Sequence, residues 1–134
     1  DKGYIKVLDT YQTPQYANVY AVGIAAAVDV PWQTAVPVGI PKTGFPTEQM
    51  AHVAAKNIVS QIRGGVAEDH KEFGDIKAIC VMDAGNSGVM ILADKMLPPR
   101  KHGVLVPGPQ NHAMKVGFEK YSLWKMKAGH VGLP

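Results

Sequence analysis

An apolar pattern of helical period, placed directly after a lysine-threonine-glycine turn, constrains the fold more than any other feature. Pro46 stands where the first turn of a helix tolerates proline. Apolar residues then recur along one face until the Gly64-Gly65 pair, namely Met50, Val53, Ala54, Ile58 and Ile62. Because a glycine pair ends a helix readily, the pattern predicts one long helix that starts after Gly44 and ends at Gly64-Gly65.

Two glycines upstream of this helix suggest a place where backbone approaches a ligand. The run from Val19 to Val22 is apolar and β-prone, which predicts a buried strand, and Gly23 stops it. Gly44 leads into the helix, whose first amide groups can face electron-rich oxygens. A strand from Tyr4 to Leu8 and a turn after it predict a strand-turn-strand closure, and residues 29–46 predict an irregular connection.

Length and composition exclude several classes of protein. The 134 residues are 46% hydrophobic with ten prolines and fourteen glycines, which predicts a single turn-rich domain over residues 1–134. The net charge of +3 is too small to indicate a nucleic-acid partner. Apolar runs fall short of the roughly 20 residues that span a bilayer, and Asp1-Lys2-Gly3 does not resemble a signal peptide.

The second half of the chain predicts a hairpin, a short strand or loop, and a final helix. Residues 76–82 and 88–93 are apolar runs separated by an Asp-Ala-Gly-Asn-Ser turn, which is typical of a β-hairpin. Residues 103–109 form the short strand or loop, and Gln110 to Ala128 the helix. The fold class is therefore α+β, with a small mixed β-sheet and hairpins, one long central helix and a C-terminal amphipathic helix whose Met-aromatic face comprises Met114, Phe118, Tyr121 and Trp124.

Cys80 is the single cysteine, so the chain forms no internal disulfide. Three alternatives remain for it: a buried small hydrophobe, a free thiol, or half of a pair whose partner lies on another sequence. The five histidines are scattered without metal-ligand spacing, so no metal site is predicted.

Three motifs, in order, resemble the sulfide:quinone oxidoreductase branch of the flavin-dependent pyridine nucleotide-disulfide oxidoreductase superfamily. They are residues 18–23 together with 41–51, residues 78–89, and residues 115–121, and the resemblance runs from about Gly3 to Ala128. It implies the C-terminal portion of a two-dinucleotide-fold flavoprotein. Two features depart from the wider superfamily: Ile24 stands where many members have aspartate, and the glycine-x-glycine-x-x-glycine motif is absent.

The resemblance also assigns residues to sites. Cys80 becomes one of a redox pair beside the flavin, and Glu48, expected in the first helical turn, becomes a proton carrier for quinone. The residues that contact FAD would be Gly23, Ile24, Lys42, Thr43 and Gly44. The quinone would lie against Ile79, Lys115 and Phe118.

By this resemblance the whole enzyme oxidises sulfide through a cysteine pair and FAD, and reduces a membrane quinone. Residues 1–65 would form the second flavin-contacting region, and residues 66–134 the redox-cysteine and quinone- or membrane-facing region. We expect a homo-oligomer on the prokaryotic cytoplasmic membrane, held peripherally; the 134 residues alone should bind no flavin and be inactive. Two alternatives stay open: the flavoprotein subunit of a flavocytochrome c sulfide dehydrogenase, and a non-catalytic interaction or dimerisation domain.

Overall fold

The computed structural model describes residues 3–28, 35–36, 40 and 43–130. Within these ranges the helices are α1 (Gly44–Ile62) and α2 (Gln110–Lys127), and the strands are β1 (Ile5–Lys6), β2 (Ala26–Ala27), β3 (Ala78–Asp83), β4 (Gly88–Ala93) and β5 (Gly103–Gly108). Two 3-10 turns cover Gly23–Ala25 and Phe73–Asp75. The predicted α+β class is confirmed.

The chain divides into two compact units. The first unit consists of Asp1–Ala78 with Asp94–Arg100, and the second of Ile79–Ala93 with Lys101–Pro134. The first contains α1, β1 and β2, and the second contains α2, β4, β5 and all of β3 after its first residue. The division of function between residues 1–65 and 66–134 stays a prediction.

The core of the first unit forms around one face of α1. Met50 and Ala54 lie one turn apart on that face and are buried with Tyr11, Ala26, Phe73, Ile76 and Met96. The predicted helix is confirmed, and Gly64 follows its end with a φ of +84°. Ile58 and Ile62 were expected on the apolar face, yet both are exposed, Ile62 to 80%. The buried position in that part of α1 is Asn57 instead.

Asn57 connects α1 to two irregular segments. Its Nδ2 donates hydrogen bonds to the carbonyl oxygens of Thr10 (3.1 Å) and Asp69 (2.7 Å), and its Oδ1 accepts one from the Asp69 amide (3.0 Å). Buried backbone groups outside sheets need such partners, because an unpaired buried amide or carbonyl is costly. This side chain therefore holds both segments against the helix.

The prediction of a buried strand from Val19 to Val22 is wrong. This segment makes one isolated antiparallel bridge, Gln12 to Tyr20, and Val19 is exposed. On the Tyr11 side of this bridge the pairing does not extend, because Tyr11 has a φ of +63°, which no extended strand adopts. The predicted strand-turn-strand closure is likewise wrong, since β1 pairs in parallel with β2, Ile5 opposite Ala26.

In the second unit the strands follow the predicted hairpin. The sheet order is β3-β4-β5, and β4 pairs antiparallel with β5 from Gly88 opposite Gly108 to Ala93 opposite Gly103. Four residues connect β3 to β4, too few for the crossover that parallel strands require, so these strands also run in opposite directions. Of the two alternatives for residues 103–109, the strand is the one that forms. The expected connection over residues 29–46 falls mostly outside the described residues.

We predict that Asn57→Ala lowers the free energy of unfolding by about 2–3 kcal/mol, because it empties a fully buried position and leaves backbone groups of Thr10 and Asp69 without their side-chain partner. Urea denaturation followed by circular dichroism measures the change. The exposed Asn18→Ala is the matched control and should stay within about 0.5 kcal/mol of the parent. Equal effects of the two substitutions would contradict this role of Asn57.

Candidate functional site

The N-terminus of α1 is open and carries no acidic side chain in its first turn. The helix begins at Gly44 after Thr43, whose side chain makes no capping hydrogen bond, and both residues are exposed. The first amides of a helix lack partners within the helix, and together they carry a partial positive charge. This turn can therefore receive electron-rich oxygens. Lys42, predicted to add to the positive field, lies outside the described residues.

Gly23 brings a second segment against this turn. Its φ is +62°, it is buried, and a Cβ there would lie 2.7 Å from Cγ2 of Thr47. Such a conformation and such a close approach both require glycine. The next residue, Ile24, is 72% exposed. Four predicted flavin-contacting residues, Gly23, Ile24, Thr43 and Gly44, are thus gathered at one end of α1.

Glu48 lies elsewhere on the helix than the sequence predicted. Because α1 begins at Gly44 itself and not after it, Glu48 is the fifth residue and stands in the second turn. The placement in the first turn is therefore wrong. Glu48 is exposed, and its role as a proton carrier stays a prediction.

Cys80 and Ile79 are neighbours on β3, in the second unit. Adjacent residues of a strand project to opposite faces of the sheet. Ile79 is 41% exposed, and Cys80 is half-buried with a free thiol. The strand therefore holds an apolar side chain on one face and a sulfur atom on the other.

The predicted Met-aromatic face of α2 is exposed within this chain. Phe118 is 68% and Trp124 53% exposed, and the Tyr121 and Trp124 rings lie 6.0 Å apart. Lys115, also exposed, is one turn before Phe118. In the part of the chain that the structure describes, this face is therefore not part of the core. No helix among the described residues is long and apolar enough to cross a membrane.

Sequence reasoning missed the contacts that attach α2 to the sheet. Asn111 is fully buried, and its Nδ2 lies within hydrogen-bonding distance of the carbonyl oxygens of Val106 (2.8 Å), Gly108 (3.0 Å) and Gly88 (3.1 Å). His112 Nδ1 lies 3.0 Å from Asp83 Oδ2. Neither residue stands out in the sequence, because a single asparagine or histidine at a helix start is common.

The first unit also contains a cavity of about 520 Å³ that none of the predicted site residues line. Its walls include Tyr11, Phe73, Asp9, Glu72 and Asp75. Burial and the nearby Asp9 carboxylate raise the pKa of Tyr11 to about 12, and its hydroxyl donates to the Lys71 carbonyl at 2.8 Å. Among the described residues, no cluster of three or more His, Cys, Asp or Glu side chains could hold a metal ion.

A known enzyme resembles the chain over most of the chain's length, both in sequence and in structure. The sulfide-quinone reductase of Aquifex aeolicus is 38% identical over 121 residues, which are 90% of this chain and 27% of that protein. The crystal structure of the sulfide:quinone oxidoreductase from the hyperthermophilic bacterium Aquifex aeolicus matches with a TM-score of 0.83 and 37% identity, over 94% of this chain and 29% of that one. No protein-family model matches.

By sequence and by fold the chain is similar to part of an oxidoreductase. It is related to the C-terminal part of the sulfide:quinone oxidoreductases, which confirms the resemblance drawn from the three motifs. The chain spans less than a third of the length of this relative.

We predict that Gly23→Ala lowers the free energy of unfolding by about 2 kcal/mol or more, because strain at positive φ adds to the contact with Thr47. Gly64→Ala is the matched control: its φ is +84°, but no atom in the described part of the chain lies within 4 Å of the added Cβ. It should cost about 1 kcal/mol. Urea denaturation measures both.

The added Thr47→Ala substitution should recover part of the loss in Gly23→Ala, because it removes the two side-chain atoms nearest the new Cβ. A double-mutant cycle measures this recovery as a coupling energy. A coupling of zero would mean that Gly23 does not approach Thr47 as described.

Proposed function

We propose that this chain is the part of a sulfide:quinone oxidoreductase that supplies the ring-side flavin contacts, one redox cysteine and the quinone-facing helix. The whole enzyme oxidises sulfide and reduces a membrane quinone. The observation that carries the proposal is the 38% identity to a sulfide-quinone reductase over 90% of the chain. The gathering of Gly23, Ile24, Thr43 and Gly44 at the end of α1 supports it independently.

The end of α1 fits the electron-rich edge of a flavin ring. Among the described residues nothing lies within 4 Å of a Cβ added at Gly44, which leaves room for a ligand to approach the backbone there. The first-turn amides and the helix dipole favour negative charge at that edge, and no acidic side chain in the turn opposes it. FAD, when bound, carries two electrons between the sulfur chemistry and the quinone.

Cys80 is proposed to exchange sulfur with a cysteine outside this chain. Hydrosulfide attacks one sulfur of the disulfide between them, so a new sulfur–sulfur bond forms as the old one breaks and one thiolate leaves. The sulfide sulfur gives up two electrons, and the disulfide takes them. The half-buried position of Cys80 on β3 keeps its thiol reachable while the strand fixes its direction.

The exposed face of α2 is proposed to contact quinone and membrane. Phe118 offers a ring for stacking on the quinone, Lys115 an ammonium group for a quinone oxygen, and Ile79 an apolar surface. Glu48 carries a proton to the reduced quinone. Farther along α2, exposed Trp124 and Met126, with Lys125 and Lys127, have the composition of an interfacial helix.

We predict that Cys80→Ser in the whole enzyme abolishes flavin reduction by sulfide and leaves the fold intact, since serine matches cysteine in size but exchanges no sulfur. Stopped-flow absorbance of the flavin measures the reduction. Val81→Ala, a half-buried neighbour on β3, is the control and should retain it. Near-normal sulfide-dependent turnover in Cys80→Ser would remove Cys80 from the mechanism.

Phe118→Ala and Trp124→Ala should separate the quinone and membrane roles of α2. Phe118→Ala should raise KM for quinone by about tenfold without slowing flavin reduction by sulfide, because it removes a stacking surface and not a redox group. Trp124→Ala should mainly weaken liposome co-sedimentation. Exposed Leu123→Ala, on the other side of the helix, is the control for quinone kinetics.

Unchanged quinone kinetics in a folded Phe118→Ala enzyme would contradict the quinone site. Sulfide-dependent reduction of cytochrome with no quinone reduction would favour the flavocytochrome alternative. A whole protein that oxidises no sulfide with either acceptor would favour the interaction domain.

A further inference from the structure

Helix α2 is fastened to its unit at the first turn. Asn111 is the buried residue of this helix, and the positions from Ala113 to Tyr121 are all exposed. The Asn111 Nδ2 lies between carbonyl oxygens at the start of β4 and the end of β5, at 2.8–3.1 Å. Its Oδ1 is buried and has no hydrogen-bond partner in the described structure. Asn111 therefore contributes through its donor group, at the cost of an unpaired acceptor.

His112 ties the same turn to the strand that carries Cys80. Its Nδ1 lies 3.0 and 3.2 Å from the two carboxylate oxygens of Asp83, the last residue of β3. Asp83 is three residues after Cys80 on that strand. Adjacent residues of α2 thus reach all three strands, Asn111 reaching β4 and β5 and His112 reaching β3.

Because an α-helix is rigid over two turns, the contacts of Asn111 and His112 also determine where Lys115 and Phe118 lie. At 100° per residue, Lys115 lies about 40° to one side of Asn111 and Phe118 about 20° to the other. Phe118 is about 10 Å farther along the axis, at 1.5 Å per residue. Tilting α2 by about 15° about its first turn would move the base of Phe118 by about 3 Å, and rotating it would turn both side chains away.

We propose that Asn111 and His112 are positioning residues for quinone reduction: they fix the tilt and rotation of α2, and so the place of Phe118 and Lys115 relative to Cys80. The inference rests on the proposed function, because it assigns the task of these contacts in that reaction. Neither residue touches sulfide or quinone. Losing either contact should impair quinone use and spare sulfur chemistry.

The test uses Asn111→Ala and His112→Ala in the whole enzyme, with exposed Asn86→Ala and His52→Ala as matched controls. Both test variants should raise KM for quinone by about tenfold, because displaced contact groups misplace the ring, while flavin reduction by sulfide stays within about twofold. Amide hydrogen exchange over residues 113–127 should become faster in both. The controls should change neither measurement.

A conservative replacement separates the contact from mere occupancy. His112→Asn keeps a donor near the position of Nδ1, so its KM for quinone should stay close to that of the parent enzyme, whereas His112→Leu should raise KM as His112→Ala does. Asp83→Ala should raise KM as His112→Ala does, and the double variant should be no worse than either one.

Three results would overturn the inference: an unchanged quinone KM in folded variants, an equal loss of flavin reduction and quinone reduction, or unchanged exchange in α2. If the parent enzyme reduces no quinone with sulfide, the proposed function fails. The exchange measurement then still decides the attachment, since unchanged exchange in Asn111→Ala refutes it.

Discussion

Backbone amides and carbonyls that regular helix and sheet pairing leaves over need other hydrogen-bond partners, and a buried asparagine supplies them in each unit of the chain. The strands of the first unit are only two residues long, so sheet pairing satisfies few of its backbone hydrogen-bonding groups. Asn57 supplies the missing donors and acceptor there, and Asn111 supplies donors where α2 meets β4 and β5. Two buried amide side chains therefore connect the helices to the segments that surround them.

Much of the fold was predictable from apolar periodicity and turn residues. The spacing of Met50 and Ala54 predicted which face of α1 is buried, and the turn at residues 83–87 predicted the end of one apolar strand and the start of the next. Periodicity could not reveal the positive φ of Tyr11, which limits the Val19–Val22 segment to a single bridge. It also could not place Asn57 in the core, because a polar residue interrupts an apolar pattern without indicating whether it is buried.

For the candidate site, the sequence indicated individual residues but not the contacts between distant ones. Resemblance to a family picked out Gly23, Gly44, Cys80 and Phe118, and the structure groups the two glycines at one helix end. Glu48 lies in the second turn and not in the first, because α1 begins at Gly44. The sequence predicts helix ends only to within a residue or two, and here the Thr43 side chain makes no capping hydrogen bond that would mark the start. The pairing of His112 with Asp83 joins residues 29 positions apart, and such contacts depend on tertiary structure alone.

Strand β3 presents two chemistries through the alternation of its side chains. Ile79 faces one way and Cys80 the other, so the separation of a hydrocarbon surface from a thiol depends only on which residue of the strand comes first. If one residue were inserted before Ile79 and the backbone hydrogen bonds of β3 to β4 stayed in place, Ile79 and Cys80 would each project from the opposite face of the sheet. The sulfur would then point where the isoleucine now does. The register of β3 in the sheet therefore decides which face carries the thiol, whatever contacts the individual side chains make.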